Sequence, residues 1–232
     1  MTRPERFRRF LAYFTDNYPE PRTELAYRNP YELIVAVVLS AQCTDKRVNQ
    51  VMPALLAQFP TPEALGSASA DDIFPFIRSV SYPNNKAKHL AGLGHLLHTE
   101  FGGEVPSTIE ELQRLPGVGR KTANVVVSVI YNQPAMAVDT HVFRVSHRLG
   151  LVPRTATTPL AVEKGLVQYI PQEIIPKAHH WLILHGRYIC VARSPKCYSC
   201  PLTDFCAAYP KFVAEGQASA KVPGKSSAKS QV

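Results

Sequence analysis

Four of the five cysteines lie close together near the C-terminal end of the chain, in a pattern that can bind metal. Cys190, Cys197, Cys200 and Cys206 follow the spacing Cys-x6-Cys-x2-Cys-x5-Cys within 17 residues. Thiolates bind both zinc and iron-sulfur clusters, and reducing conditions would favour such a metal site over disulfides. The spacing alone leaves zinc and iron-sulfur open. Cys43 stands apart, and we expect it to be a small buried residue.

A glycine-rich turn followed at once by two cations is the second chemical feature. Residues 115–119 read Leu-Pro-Gly-Val-Gly, and Arg120 and Lys121 open an apolar helix directly after them. Proline fixes such a turn, glycines can take positive φ, and N–H groups at a helix start can bind a phosphate. With a short helix expected before it, the segment is a candidate helix-hairpin-helix. The plainer alternative is an ordinary turn with two solvated cations.

Lys121 also has the features of a nucleophile. Cations are disfavoured in the first turn of a helix, where the macrodipole places positive charge, and breaking such a local rule often indicates function. The dipole and the neighbouring Arg120 favour a neutral amine, the form that attacks an electrophilic carbon. We therefore expect a nucleophilic lysine, with phosphate binding by both cations as the alternative.

Asp139 is the only acidic residue between residues 112 and 162. It precedes a helix expected to run to about Leu149, and aspartate suits that N-cap position. A carboxylate can also stabilise a positively charged sugar while a glycosidic bond breaks. The two roles are compatible. The other charged residues of this tract are all cationic: Arg114, Arg120, Lys121, Arg144, Arg148 and Arg154.

The charge distribution favours a polyanionic partner. The net charge is +8, and residues 112–162 and 176–203 form basic tracts with one acid and none, respectively. Binding phosphates with Lys and Arg releases condensed counterions, so such tracts suit nucleic acid. Charge alone is equally compatible with a merely basic surface. After residue 210 the composition shifts to Ala, Ser, Lys and Gly, and we expect residues 211–232 to form a basic, disordered tail.

Helix signals dominate the sequence and strand alternation is scarce, so we expect helices to position these residues. Residues 33–39 and 125–130 are β-branched and continuous enough to be buried strands, but their flanks favour buried helices. The longest apolar stretch is too short to span a bilayer and no signal peptide is recognised, so we expect a cytoplasmic protein that does not bind membranes. We also expect it to be a monomer. Helix starts are expected at Asn29-Pro30, Ser69 and Thr158-Pro159.

Taken together, the segments resemble the endonuclease III family of DNA glycosylases. Hairpin, lysine, aspartate and cysteines occur in the family's order, and the resemblance covers the chain from about Thr23 to Cys206. The matching segments are residues 32–45 (ELIVAVVLSAQCTD), 115–126 (LPGVGRKTANVV), 137–144 (AVDTHVFR) and 180–188 (HWLILHGRY), with the four spaced cysteines.

The resemblance implies an all-α, two-lobed architecture with duplex DNA bound in the cleft. A six-helix lobe, residues 24–132, would carry the helix-hairpin-helix. Residues 1–23 together with 133–210 would form a second lobe, in which the four cysteines hold a 4Fe-4S cluster. By this resemblance the choice between zinc and iron-sulfur falls on iron-sulfur.

The resemblance also implies a bifunctional glycosylase and abasic-site lyase for oxidised pyrimidines, associated with the nucleoid in a bacterium. Lys121 would attack the anomeric carbon and form a Schiff base, assisted by Asp139, and β-elimination would follow. The target must leave the base stack, and Gln42 matches a family residue that fills the gap. The residues expected to contact DNA are Gln42, Tyr82, Leu115, Gly117, Val118, Gly119, Arg120, His141, Arg144, Arg193 and Lys196.

The sequence departs from the family pattern at several positions. Ser81-Tyr82-Pro83 stands where many members have Gly-Leu-Tyr, and we expect Tyr82 to act as a wedge by stacking. Gln113 replaces a frequent glutamate of the damaged-base pocket, and Ser194 replaces a frequent lysine of the cluster loop. The alternatives are therefore a weakened or noncatalytic DNA-binding paralogue and a glycosylase of altered substrate range. An adenine-mismatch glycosylase is disfavoured because it lacks the lysine.

Overall fold

The computed structural model describes residues 1–216, and the regular elements in that part of the chain are all helices. The all-α prediction is confirmed. Single 3-10 turns occupy Gln172–Ile174 and Cys197–Ser199. The α-helices are α1 (Arg3–Asn17), α2 (Pro30–Ser40), α3 (Asp45–Gln58), α4 (Pro62–Gly66), α5 (Ala70–Ile77), α6 (Pro83–Glu100), α7 (Ile109–Leu112), α8 (Arg120–Tyr131), α9 (Thr140–Leu149), α10 (Pro159–Val167), α11 (Ile175–Tyr188) and α12 (Tyr209–Ala214).

The two continuous apolar runs are helical, as their flanks predicted. Residues 33–39 lie in α2 and residues 125–130 lie in α8. Every residue from 31 to 39 is buried, so α2 is packed on all sides, which explains why its sequence shows no amphipathic period. The side chain of Asn29 starts this helix by accepting the N–H of Glu32 at 2.9 Å.

The other predicted helix starts are also confirmed. Ser69 and Asp72 form a capping box at the start of α5, and Thr158 caps α10, which begins at Pro159. Such caps satisfy N–H groups that have no partner within a helix. In contrast, the N-cap of α8 is Gly119, which has no side chain, and the N–H groups at that helix start remain available.

The buried side chains form two hydrophobic clusters, which we call the first and second cores. The first core is built from residues between 25 and 135, and the second from α1 and residues between 136 and 205. α1 joins the second core because Phe14 stacks on Trp181 with ring centroids 5.5 Å apart. The Trp181 indole N–H donates to the carbonyl of Tyr18 at 2.7 Å. Truncating a buried tryptophan to alanine costs about 3–5 kcal/mol. The contacts of Trp181 with Phe14 and Tyr18 therefore stabilise the packing of the N-terminal segment on the second core.

The C-terminal end differs from the expected tail in one respect. Residues 211–214 of the expected tail 211–232 are helical, as part of α12. The guanidinium of Arg148 lies 5.0 Å from the ring centroid of Phe212, and this cation–π contact holds the helix against α9. Residues 217–232 lie outside the described residues. None of the helices in residues 1–216 has the length and apolar character needed to cross a membrane.

Candidate functional site

The sequence-predicted hairpin consists of a short helix, a glycine turn and a longer helix. α7 ends at Leu112 and α8 begins at Arg120. Gly117 between them has a φ of 80°, a left-handed conformation that favours glycine. A Cβ on Gly117 would lie 3.0 Å from the Cβ of His89 on α6. Position 117 therefore requires glycine both for its backbone angle and for space.

The turn leaves backbone donors without a protein partner. The N–H groups of Gly117 and Gly119 have no acceptor among residues 1–216, whereas that of Val118 donates to the carbonyl of Leu115 at 3.1 Å. Leu115 and Val118 are buried and anchor the turn in the first core. Free N–H groups before a helix suit an anion such as a phosphate. The glycines thus present the donors that the two buried side chains hold in place.

The two cations at the start of α8 have different surroundings. Nη2 of Arg120 lies 2.6 Å from Oε1 of Glu163 on α10, and this hydrogen-bonded ion pair raises the pKa of the guanidinium. Lys121 is exposed and forms no ion pair in the described part of the chain. Sequence reasoning missed Glu163 because it lies 43 positions along the chain. The sequence placed two positive charges beside the Lys121 amine, the helix dipole and Arg120. The ion pair with Glu163 neutralises that of Arg120.

Asp139 caps α9 and keeps one carboxylate oxygen free. Its Oδ1 accepts the N–H groups of both His141 and Val142 at 2.8 Å. Its Oδ2 accepts no hydrogen bond from any residue between 1 and 216. The cap therefore fixes the orientation of the carboxylate through one oxygen and leaves the second oxygen to act on a ligand.

Lys121 and Asp139 line one cavity, to which the segment before α2 also contributes lining residues. Other lining residues come from α2, α3 and α11, so both cores contribute. The polar and charged residues that share this cavity with Lys121 and Asp139 are Arg22, Thr23, Glu24, Ser40, Asp45, His179, His180 and Arg187.

A cleft that shares Lys121 and Asp139 with this cavity carries further predicted residues. Gln42 and His141 line the cleft beside Lys121 and Asp139. Cys43 also lines it and is partly exposed, so the expectation of a buried cysteine was wrong. The physical reason is that α2 ends at Ser40, so Cys43 lies in the loop before α3, where it packs against the edge of the first core and stays partly exposed.

An ion-pair network at the cavity was missed by sequence reasoning. Nη1 of Arg187 lies 2.7 Å from Oδ2 of Asp45, and the same guanidinium also binds Glu24. Burial raises the pKa of Asp45, and so does Asp139, while Lys121 opposes the shift, so these charges act on one another. Asp45 could have been noticed as the last residue of a matching segment. Its partner lies 142 positions away and could not.

His179 is a further residue of the cavity that the sequence did not single out. It is 1% exposed, and neither ring nitrogen has a hydrogen-bond partner among the described residues. Burial, His180 and Lys121 together lower the pKa of His179 to about 3, so the ring is neutral at physiological pH. Buried polar groups usually have partners. The imidazole is therefore an unpaired donor and acceptor on the wall of the cavity.

The remaining residues that the sequence predicts to contact DNA differ in position. Gln42 and Tyr82 both adopt left-handed backbone angles, with φ of 53° and 55°. The Tyr82 side chain is 61% exposed. Gln113 is exposed at the end of α7 and does not line the cavity or the cleft that hold Lys121 and Asp139. The proposed effect of Gln113 on a base pocket is thus not supported by its position.

Arg144 and Arg148 point into the protein. Arg144 donates to the carbonyls of Gly186 at 2.8 Å and Cys190 at 3.1 Å, and burial lowers its pKa. Arg148 donates to the carbonyls of Cys190, Val191 and Ala192 and to the sulfur of Cys190. Arg144 was expected to contact DNA, but these bonds fasten the cysteine loop to α9. Arg193 and Lys196 of that loop are exposed.

The four spaced cysteines line a single cavity at the end of the second core. All are free thiols, and His185, Lys196 and Phe212 also contribute to the walls. Burial raises the pKa of the Cys200 thiol to about 11, so a metal must displace its proton to bind. No set of three or more His, Cys or carboxylate side chains within residues 1–216 is arranged for a single metal ion. Four thiol donors around one cavity fit an iron-sulfur cluster in chemistry and number.

Family models place these features in a known class. A model described as "HhH-GPD superfamily base excision DNA repair protein" matches residues 35–172, which contain the hairpin, Lys121 and Asp139. A second model, the iron-sulfur binding domain of endonuclease III, matches residues 190–206 and thus begins and ends on a cysteine of the predicted set. The fold and site are those of a helix-hairpin-helix base excision repair protein.

Individual relatives narrow this class. The chain is 46% identical to endonuclease III of Rickettsia conorii over 201 residues, covering 87% of this chain and 95% of the relative. It is 48% identical to endonuclease III of Bacillus subtilis over 82% of this chain and 87% of that protein. A solved trapped endonuclease III–DNA covalent intermediate matches with a TM-score of 0.86 and 45% identity, covering 92% of this chain and 100% of the other. The chain belongs to the endonuclease III family.

Membership of the endonuclease III family gives the activity and the cofactor of this protein. The protein is a DNA glycosylase and abasic-site lyase of base excision repair, it binds duplex DNA containing damaged bases, and it carries a 4Fe-4S cluster. A thermostable thymine-DNA glycosylase with 21% identity and a TM-score of 0.80 shares the fold alone.

Proposed function

We propose that this enzyme excises oxidised pyrimidines with Lys121 as the nucleophile and then cleaves the abasic site by β-elimination. The observation that carries the proposal is that Lys121 and Asp139 line the same cavity, and that Oδ2 of Asp139 accepts no hydrogen bond within residues 1–216. A trapped covalent intermediate of a 45% identical relative supports a covalent route. A noncatalytic paralogue is disfavoured because both groups line one cavity.

The reaction can be written with its bonds balanced. The neutral Lys121 amine forms a bond to the anomeric carbon as the bond from that carbon to the base breaks, and the base leaves with the electron pair. Asp139 stabilises the positive charge on the sugar. The attached nitrogen then carries two protons and gives one to the departing base. Its lone pair opens the sugar ring, O4′ takes a proton from water, and the product is a protonated Schiff base. Removal of a C2′ proton then expels the 3′ phosphate, and water releases Lys121.

The rest of the fold is proposed to hold the DNA for this chemistry. The first and second cores would be the two lobes, residues 24–132 and residues 1–23 with 133–210, with the duplex across the cleft between them. The amides of Gly117 and Gly119 would bind phosphate, and Arg193 and Lys196 would bind it from the cluster loop. The enzyme is proposed to act as a monomer in the cytoplasm, at the nucleoid in a bacterium.

The four cysteines would hold the 4Fe-4S cluster, whose contribution here is structural: it orders the loop that carries Arg193 and Lys196. Arg144 and Arg148 support that loop from α9 through carbonyls and through the sulfur of Cys190. Both arginines belong to the same helix that Asp139 caps. The cluster loop and the catalytic carboxylate are therefore fixed to one element.

Borohydride trapping tests the nucleophile. Wild type should form a reduced covalent complex with duplexes carrying an abasic site or an oxidised pyrimidine, and Lys121→Gln should form none. Lys164→Gln is a matched control, since Lys164 is exposed on α10 and lines neither the cavity nor the cleft. Trapping by Lys121→Gln at the wild-type level would remove Lys121 from this role. A panel of duplexes with oxidised pyrimidines, oxidised purines and adenine mismatches tests the substrate class.

A further inference from the structure

Two loops on the DNA-facing side are joined by a hydrogen bond between side chain and backbone. The hydroxyl of Ser81 donates to the carbonyl of Gln42 at 2.7 Å, across 39 positions of sequence. Ser81 directly precedes Tyr82 and the start of α6, whereas Gln42 follows the end of α2. The two residues with exposed side chains and left-handed backbones are therefore neighbours in space.

Each of these residues is held in an unfavourable backbone conformation. Left-handed angles are disfavoured for residues with a Cβ, and such strain persists only where the surroundings enforce it. Tyr82 also precedes Pro83, a position that normally adopts an extended conformation, yet its φ and ψ are 55° and 50°. Strained exposed residues of this kind are found at ligand-contacting sites.

A buried lysine holds the Gln42 loop from beneath. Nζ of Lys86 donates to the carbonyls of Leu39 and Ala41, each at 2.7 Å. Lys86 is 5% exposed and lies one turn into α6, the helix that Tyr82 starts. α6 is thus hydrogen-bonded to the end of α2 through Lys86, and Ser81 adds a further hydrogen bond at Gln42 itself.

We propose that Ser81 is a positioning residue that couples Gln42 and Tyr82 into one preorganised wedge, which enters the duplex as a unit where the damaged nucleotide leaves the stack. The proposal rests on the function proposed above. Fixing both loops before binding avoids ordering them during insertion, which strengthens binding. The exposed ring of Tyr82 can then stack on a base while Gln42 fills the gap. Glycine, the residue of the family pattern at position 81, has no hydroxyl to make this bond.

The test compares Ser81→Ala with Ser81→Thr, which keeps a hydroxyl, and with Ser79→Ala. Ser79 is exposed in the same loop, and its side chain forms no hydrogen bond within residues 1–216. Affinity is measured for a duplex with a stable tetrahydrofuran abasic analogue and for the same duplex undamaged. We expect Ser81→Ala to reduce the preference for the abasic duplex about fivefold, the value of one typical hydrogen bond. Binding to undamaged duplex should not change, because phosphate contacts dominate it.

A second measurement follows the wedge itself. A 2-aminopurine placed opposite the abasic analogue reports unstacking by its fluorescence, and Ser81→Ala should lower the amplitude while Ser81→Thr and Ser79→Ala match wild type. Equal preference and equal amplitude in Ser81→Ala and wild type would overturn the coupling. An equal loss of affinity for damaged and undamaged duplex would also overturn it, since that indicates general destabilisation.

Borohydride trapping on a preformed abasic site, at saturating enzyme, separates this proposal from the function on which it rests. Ser81→Ala should trap as completely as wild type because Lys121 is untouched. Absence of trapping in wild type would refute the nucleophile and leave the binding and fluorescence results to decide the wedge.

Discussion

Replacing Asp139 by asparagine and by alanine separates the helix cap from the chemistry. The Oδ1 atom accepts two N–H groups at the start of α9, and Oδ2 is left for the cavity. Asparagine keeps an oxygen in the Oδ1 position and removes the negative charge. Alanine removes the oxygen and the charge together. Both variants should lose activity, and only one should lose much stability.

The magnitudes follow from the contacts. Asparagine and aspartate are equivalent N-caps, so Asp139→Asn should cost only the charge at the helix dipole, about 0.3–1 kcal/mol. Asp139→Ala leaves both N–H groups without a cap and should cost about 1–2 kcal/mol. At roughly 2–4 °C per kcal/mol for a chain of this size, the alanine variant should melt a few degrees below the asparagine variant. Activity should fall on the order of a hundredfold or more in both, since a preorganised charge is lost.

Three measurements on each variant decide the matter: thermal unfolding, affinity for a tetrahydrofuran duplex, and the single-turnover rate on an oxidised pyrimidine. The expected pattern is slow turnover and retained affinity in both, with a melting temperature a few degrees lower in the alanine variant than in the asparagine variant. Near wild-type turnover by Asp139→Asn would reduce Asp139 to a cap and refute the catalytic assignment. Equal melting temperatures for the two variants would refute the cap argument instead.

Three further predictions use contacts outside that carboxylate. Glu163→Gln should free Arg120 for a phosphate and steepen the slope of log affinity for duplex DNA against log salt by about 0.9, and an unchanged slope would contradict this. Gly117→Ala should lower the free energy of unfolding by about 1–2 kcal/mol, because the φ of residue 117 is 80° and an added Cβ would lie 3.0 Å from His89. A variant that unfolds at the wild-type temperature would contradict strain at this position. The pKa of His179 is lowered from its ordinary 6.5 to about 3, so its contribution to stability is complete above pH 6.5 and is lost as pH falls toward 3. Urea unfolding at pH 7 and pH 5 should show a smaller loss in His179→Phe than in wild type, and equal losses would be inconsistent with a buried neutral ring.

Features encoded within a few neighbouring residues were readable from the sequence. Asn29, Ser69 and Thr158 cap helices because a cap needs only its own side chain and an N–H two or three positions on. The turn before α8 was readable for the same reason, since Gly117 supplies its left-handed angle. The order of hairpin, Lys121, Asp139 and cysteines carried the resemblance to the endonuclease III family, and that resemblance implied the all-α, two-lobed fold and the 4Fe-4S cluster.

The partners of these residues were decided by tertiary structure. The sequence presented Asp139 as the only acid of its tract, but packing brings Asp45 to the same cavity and Glu163 to Arg120. It also presented Arg144 as a DNA contact, whereas the packing of α9 against α11 turns the guanidinium toward carbonyls of the protein. Residue types and local spacing determine what chemistry is available. Which groups meet depends on contacts between residues tens to more than a hundred positions apart, because those distances close only when the two cores pack.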